Sequence, residues 1–307
     1  MIQTKELNFG IYGKCLSISN GKIEVYVTLD FGPRICRCAF VDGENFFKEF
    51  EDFGKGSYLG DDCKFGDNTF FNRGGHRFWL SPEANPRTSY PDNKPIEYTL
   101  TPNGAVFVQP PQEANDVWLS IEVAMCEDEN KLTVTHNAKN IGYWPKEFST
   151  WAISVSAVGG TEIIPQNTTN TGLLPNRFLS LWPYTKLNDS RLSIGDKYIR
   201  IVHNPEIENA LKIGLMQEHP WAMYFHHGDL FVKTYEPIPG AKYPDNNCTY
   251  ETYVCGSFIE LETLGELKLA KVGETNSHSE TWYLYENVNV PQTDEEIDSL
   301  ASKYNLN

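Results

Sequence analysis

Apolar and polar residues alternate along much of this chain in short segments. In Lys22-Ile23-Glu24-Val25-Tyr26-Val27-Thr28, Trp118-Leu119-Ser120-Ile121-Glu122-Val123 and Lys131-Leu132-Thr133-Val134-Thr135, every second residue is apolar, and β-branched and aromatic side chains are common. A period of two sends successive side chains to opposite faces of a pleated strand, so each segment predicts a strand with one buried face. Turn-forming pairs punctuate the segments, among them Asn20-Gly21, Asp42-Gly43, Asn103-Gly104 and Ile141-Gly142. Short strands joined by tight turns predict antiparallel sheets.

One segment follows a helical period instead. In 293–304, Thr293 is placed to cap free amides, Asp294, Glu295 and Glu296 fill the first turn where the helix dipole favours acids, and Ile297, Leu300 and Tyr304 form one stripe. A short C-terminal helix packed on a sheet is predicted. The polar stretch 166–172 reads as a long exposed loop able to frame a site. No low-complexity linker or internal repeat divides the chain, so 1–307 is expected to be one domain. Strands alone leave other sandwiches and barrels open.

The charge narrows the partners. The 307 residues carry a net charge of -15 with no basic stripe, which disfavours nucleic acid and suits a neutral ligand. No apolar run approaches the ~20 residues of a membrane span, and the start lacks an export signal, so a soluble cytoplasmic protein without a membrane partner is expected. The seven cysteines are scattered and odd in number, as reduced core residues would be. Cys36 and Cys38 should share one strand face, but no second pair completes a zinc set, and the adjacent His226-His227 should point to opposite faces. Phosphate-loop, nucleophile-elbow, zinc-protease and EF-hand signatures are absent, so neither cofactor nor metal is expected.

The chemistry concentrates in a few segments. In Phe258-Ile259-Glu260-Leu261-Glu262-Thr263-Leu264-Gly265, alternation sets Ile259 and Leu261 on one face and Glu260 and Glu262 on the other, roughly 7 Å apart. In a partly desolvated groove their repulsion would raise one pKa and make a usable proton acceptor near neutrality; on an open face both would simply be solvated. Gly74-Gly75-His76-Arg77-Phe78-Trp79 offers a histidine, a guanidinium and a flat indole beside permissive glycines. Arg34 follows a turn at Phe31-Gly32-Pro33, Trp182 and Tyr184 precede Asp189-Ser190-Arg191, and Lys233 and Glu251 are candidates to face one another, with structural ion pairs the alternative throughout.

The Leu261-Glu262-Thr263 strand, the Gly273-Glu274 turn and the closing Thr281-Trp282-Tyr283-Leu284 strand resemble the C-terminal strands of aldose 1-epimerases and the wider galactose mutarotase-like superfamily. The segments around Arg34, Trp182, Lys233 and Gly74–Trp79 resemble a bacterial branch of that superfamily, and the similarity then spans nearly the whole chain. The resemblance implies a β-supersandwich, two large and mostly antiparallel sheets face to face, with a sugar or oligosaccharide bound in a groove. It implies Glu262 as general base, with Glu260 as the other candidate, His76 as a substrate or acid residue, and Arg34, Arg77, Trp79, Trp151, Trp182, Lys233 and Glu251 around the ligand. Trp151 stands where these epimerases place their acid histidine, and indole has only a neutral N–H to offer. Two functions are therefore expected: an aldose 1-epimerase-like isomerase, or a carbohydrate-binding protein that has lost the acid.

Overall fold

The computed structural model describes residues 1–52, 64–66 and 68–306; Cys63, one of the seven cysteines, lies outside the described residues. Two large sheets dominate, of 11 and 10 strands among the described residues. The central part of the first runs Ile35–Phe40, Gly75–Ser81, Lys146–Ser156, Ile259–Leu264, Tyr250–Val254 and Leu211–Leu215 in spatial order. The central part of the second runs Thr161–Pro165, Trp221–His226, Asp229–Tyr235, Thr275–Tyr285, Lys131–Asn140 and Val117–Met125. Their ladders are antiparallel, as the short alternating segments predict.

The apolar faces meet between the sheets. Ile259 and Leu261 of the first sheet share one buried cluster with Trp282 and Leu284 of the second. Glu260 and Glu262 project from the opposite face of the sheet, which also carries Leu264 of the same strand and Trp151 and Ile153 of the neighbouring one. The predicted turns fall between strands; at the first, Asn20 Oδ1 accepts from the amides of Lys22 and Ile23 at 2.9 and 3.0 Å while Gly21 takes a φ of 86°. The helix spans Asp294–Lys303, with the Thr293 side chain accepting from the Glu296 amide at 3.3 Å and Tyr304 stacked on Tyr285 at 3.8 Å. No helix among the described residues is long and apolar enough to cross a membrane.

Two sequence expectations fail locally. His226 and His227 do not point to opposite faces, because the strand ends at His226 and His227 takes a φ of 50°, which brings their rings to 3.9 Å. Cys36 and Cys38 do not share a face, because Val27 pairs with Ile35 while Tyr26 pairs with Arg37, leaving Cys36 as the extra residue of a bulge. Cys38 therefore joins the inter-sheet core, whereas Cys36 packs with Tyr12, Cys15 and Phe31.

Candidate functional site

The outer face of the first sheet carries a cavity of about 250 Å³. Its floor comes from side chains of one parity on four neighbouring strands: Arg77 and Trp79, Trp151, Glu260, and Tyr253. Lys212 enters from the next strand, and Trp182, Tyr184, Glu83 and Phe70 close the sides from loops and strand ends. The aromatic rings and cations interleave. The Arg77 guanidinium lies 4.3 Å from the Trp79 ring, and Lys212 Nζ lies 4.4 Å from the Trp151 ring and 4.7 Å from that of Trp182. Trp79 meets Trp151 edge-on at 5.7 Å.

Beneath this lining lies a charged layer. Lys212 Nζ contacts Glu251 Oε2 and Glu262 Oε2, each at 2.8 Å, and Trp151 Nε1 donates to the same Glu262 oxygen at 2.7 Å. Glu262 Oε1 has no hydrogen-bond partner among the described residues. Glu251 and Glu262 are direct cross-strand neighbours, so the lysine separates two carboxylates that register forces together. Glu260 stands apart from this triad, 3.4 Å from Arg77 Nη2.

Burial sets the proton affinities. Glu260 is pushed up to about 7 by desolvation, with Glu262 adding to the rise and Arg77 opposing it. Glu251 is pushed up to about 8 by burial and the Glu262 charge, against the pull of Lys212. Burial alone would lower Lys212, but Glu251 and Glu262 outweigh it and hold the ammonium above the ordinary lysine value. Glu83 is also raised by burial. A carboxyl near 7 in a cavity wall is matched to proton transfer at neutral pH.

The structure separates the expected site residues into two groups. Arg77, Trp79, Trp151, Trp182 and Glu260 line the cavity, while Glu251 and Glu262 support it from below. His76 does not reach it: residues 75–81 form a strand, so a side chain at 76 points away from those at 77 and 79, and His76 lies wholly buried between the sheets. Its Nε2 faces His136 Nε2 at 2.6 Å, its Nδ1 lies 2.8 Å from Ser154 Oγ, and burial pushes it well below the ordinary histidine value. Lys233 also belongs to the interior, bonded to Glu280 at 2.8 Å and to the Leu261 carbonyl at 3.0 Å; its expected partner Glu251 pairs with Lys212 instead. Arg34 stays behind the wall, paired with Asp92 at 2.8 Å and 5.0 Å from the Phe70 ring.

Lys212 and Glu83 are the charged cavity-lining residues that the sequence did not single out. The signal for Lys212 was a lysine inside the otherwise apolar Leu211-Lys212-Ile213-Gly214-Leu215, since a lone cation in a buried strand needs partners. Glu83 has no comparable signal. A larger trough of about 860 Å³ runs beside the C-terminal helix, but its tyrosines 285 and 304 already stack on one another.

The buried ionisable groups predict a pH trend in stability. Glu162, Glu251 and Glu260 hold protons more tightly folded than unfolded, with Glu162 pushed up to about 8 by burial despite bonds from Tyr250 and Thr252. A raised acid costs stability as pH rises from its unfolded value through its folded one. His136 and His278, pushed down to about 3 by burial, work in the opposite sense and lose stability as pH falls from the ordinary histidine range. Above about pH 6.5 the histidines are neutral in both states, so the melting temperature should fall between roughly pH 6.5 and 8. Glu251→Gln should flatten that decline; a melting temperature that rises across the interval would contradict the assignment.

Solved structures share this architecture. The chain superimposes on a candidate aldose 1-epimerase from Klebsiella pneumoniae with a TM-score of 0.61 at 11% identity, covering 98% of this chain and 86% of that one. It matches a galactose mutarotase-like protein from Clostridium acetobutylicum with a TM-score of 0.52 at 14% identity, over 94% and 99% of the two chains. It also matches a TPR-domain containing protein from Parabacteroides distasonis with a TM-score of 0.59 at 13% identity over 92% of this chain, which spans 49% of that protein. No protein-family model matches the chain, and no curated protein matches it. The fold is thus the galactose mutarotase-like β-sandwich.

Proposed function

We propose that the cavity binds one sugar ring against its tryptophans and that Glu260 exchanges the proton of the anomeric hydroxyl, in an aldose 1-epimerase-like isomerisation. The observation that carries this reading is the convergence of Trp79, Trp151, Trp182 and a carboxyl raised to about 7 in one cavity. Indole faces suit the apolar face of a pyranose, and the polar groups between them suit its hydroxyls. A cavity of about 250 Å³ suits a single ring better than an oligosaccharide. The likeness in fold to candidate aldose 1-epimerases supports the same reading.

In the proposed reaction the Glu260 carboxylate takes the O1 proton, the electron pair of the broken O1–H bond becomes the second C1–O1 bond, and the C1–O5 bond breaks with its pair going to O5. The ring oxygen leaves as an alkoxide, more basic than any amine, and Lys212 supplies the positive charge and proton it needs. Rotation about C1–C2 and reversal of these steps close the ring with the other configuration. Lys212 thereby fills the role that Trp151 cannot, while Trp151 contributes a stacking face and orients Glu262 through its N–H.

The second reading, sugar binding without catalysis, is favoured by the indole at the expected acid position. One experiment addresses both. A ligand that binds only the folded state raises its melting temperature with concentration, so neutral monosaccharides, uronic acids and sugar phosphates are screened at millimolar concentration. At least one should give a dose-dependent rise, and Trp151→Ala should weaken its binding by about 1–3 kcal/mol through lost aromatic contact. Polarimetry on the same sugar, freshly dissolved, then separates enzyme from binding protein. No shift with any sugar would count against both readings.

A further inference from the structure

We infer that the layer between the two sheets holds a second site, for a divalent transition-metal ion bound by His76, His136 and Glu280. One ligand atom from each of the three lies within 4.8 Å of the others, and all three side chains are fully buried. His76 comes from the first sheet and the other two from the second, so an ion here would tie the sheets together. This goes against the sequence expectation of no metal, which considered cysteine pairs and the 226–227 pair and could not foresee residues brought together across a sheet interface.

The orientation of the rings carries the argument. His136 Nδ1 lies 3.0 Å from the carbonyl oxygen of His278, which can only accept, so the His136 proton sits on Nδ1 and Nε2 presents a lone pair. His76 Nδ1 is engaged by Ser154 Oγ at 2.8 Å, leaving its Nε2 facing that lone pair at 2.6 Å, shorter than an ordinary N–H bond to an acceptor. Each imidazole is thus held at one nitrogen by a neighbour and turned with the other toward a common point, as metal-ligating histidines are. Glu280 Oε2 lies 4.0 Å from His76 Nε2 and is steadied by Trp282 Nε1 at 2.8 Å. Two imidazoles and a carboxylate form a zinc donor set, and tetrahedral bonds of about 2.0–2.1 Å would set the nitrogens roughly 3.3 Å apart, a separation of less than one ångström from where they stand.

Lys233 is the opposing feature. It bonds the other Glu280 oxygen at 2.8 Å, so an ion must share this carboxylate with an ammonium in a dry interior. Affinity should therefore rise, not fall, when that charge is removed. The cluster itself is fully buried, and the neighbouring His278, whose backbone carbonyl holds His136, is among the residues lining a cavity of about 470 Å³. The competing arrangement is a plain N–H bond from His76 Nε2 to His136, with Ser154 donating to His76 Nδ1.

The test uses the full-length protein stripped with chelator, reloaded with zinc chloride and desalted, with metal content read by mass spectrometry and the melting temperature alongside. About one zinc per chain should be retained with a raised melting temperature. Glu280→Gln, which keeps shape and a hydrogen-bonding oxygen, and His136→Gln should each lose the retained zinc, while Lys233→Met should bind it more tightly. Cobalt(II) should give visible absorption bands in the wild type that vanish in Glu280→Gln. Less than about a tenth of an equivalent of zinc in a folded wild type, or equal zinc in wild type and both ligand variants, would overturn the site in favour of the plain histidine pair.

Discussion

Glu260→Gln should slow anomer interconversion on the order of 10²–10⁴-fold, the usual consequence of removing a general base, while leaving the sugar's affinity nearly unchanged. Glutamine keeps the size of the side chain and an oxygen near Arg77, so the 3.4 Å contact survives in kind and only proton-accepting power is lost. The rate of the wild type should depend on a group titrating near 7, the value to which burial raises Glu260, and that limb should vanish in the variant. Glu262→Gln is the informative control. Glu262 is fully buried and its Oε2 already receives Trp151 and Lys212, so its loss should disturb the platform and weaken binding before it touches the chemistry. NMR exchange spectroscopy on the sugar that binds measures both variants. Full activity in Glu260→Gln with none in Glu262→Gln would return the base to Glu262, as the resemblance alone implied.

The contrast between these two glutamates shows how far the sequence was legible. Alternation correctly put both on the face opposite Ile259 and Leu261, because a strand's period is a local property of the backbone. Which of the two opens to the cavity depends on the neighbouring strands, since Glu262 sits across from Glu251 and Ile153, where Lys212 and Trp151 cover it. That register links segments far apart in the chain, and no local pattern encodes it. His76 is a different case: the period that placed the glutamates also says that 76 and 77 point apart, so grouping His76 with Arg77 and Trp79 neglected a rule already in use. Lys212 and Lys233 illustrate the remaining limit. Each is a lysine within an apolar strand, yet one stands in the cavity wall and the other between the sheets, and only the order of strands distinguishes them.

Lys212→Met should destabilise the fold by about 3–5 kcal/mol near pH 8, the cost of leaving a buried carboxylate without its counter-charge. Lys212 is the group within salt-bridge distance of both Glu251 and Glu262, which are forced together by cross-strand register. The loss should shrink at lower pH. Glu251 already holds its proton up to about 8 in the intact protein, and without the lysine it should hold it higher still, so in acid the pair can shed one charge and tolerate the vacancy. Adding Glu251→Gln to Lys212→Met should accordingly restore part of the lost stability at pH 8 and little at pH 6, a non-additivity expected of residues in direct contact. Urea denaturation of the wild type, the two single variants and the double variant at both pH values measures this. A loss below about 1 kcal/mol at pH 8, within the range of an exposed pair, would mean that the lysine does not hold these carboxylates together and could not bring a fixed charge to the ring oxygen of a bound sugar.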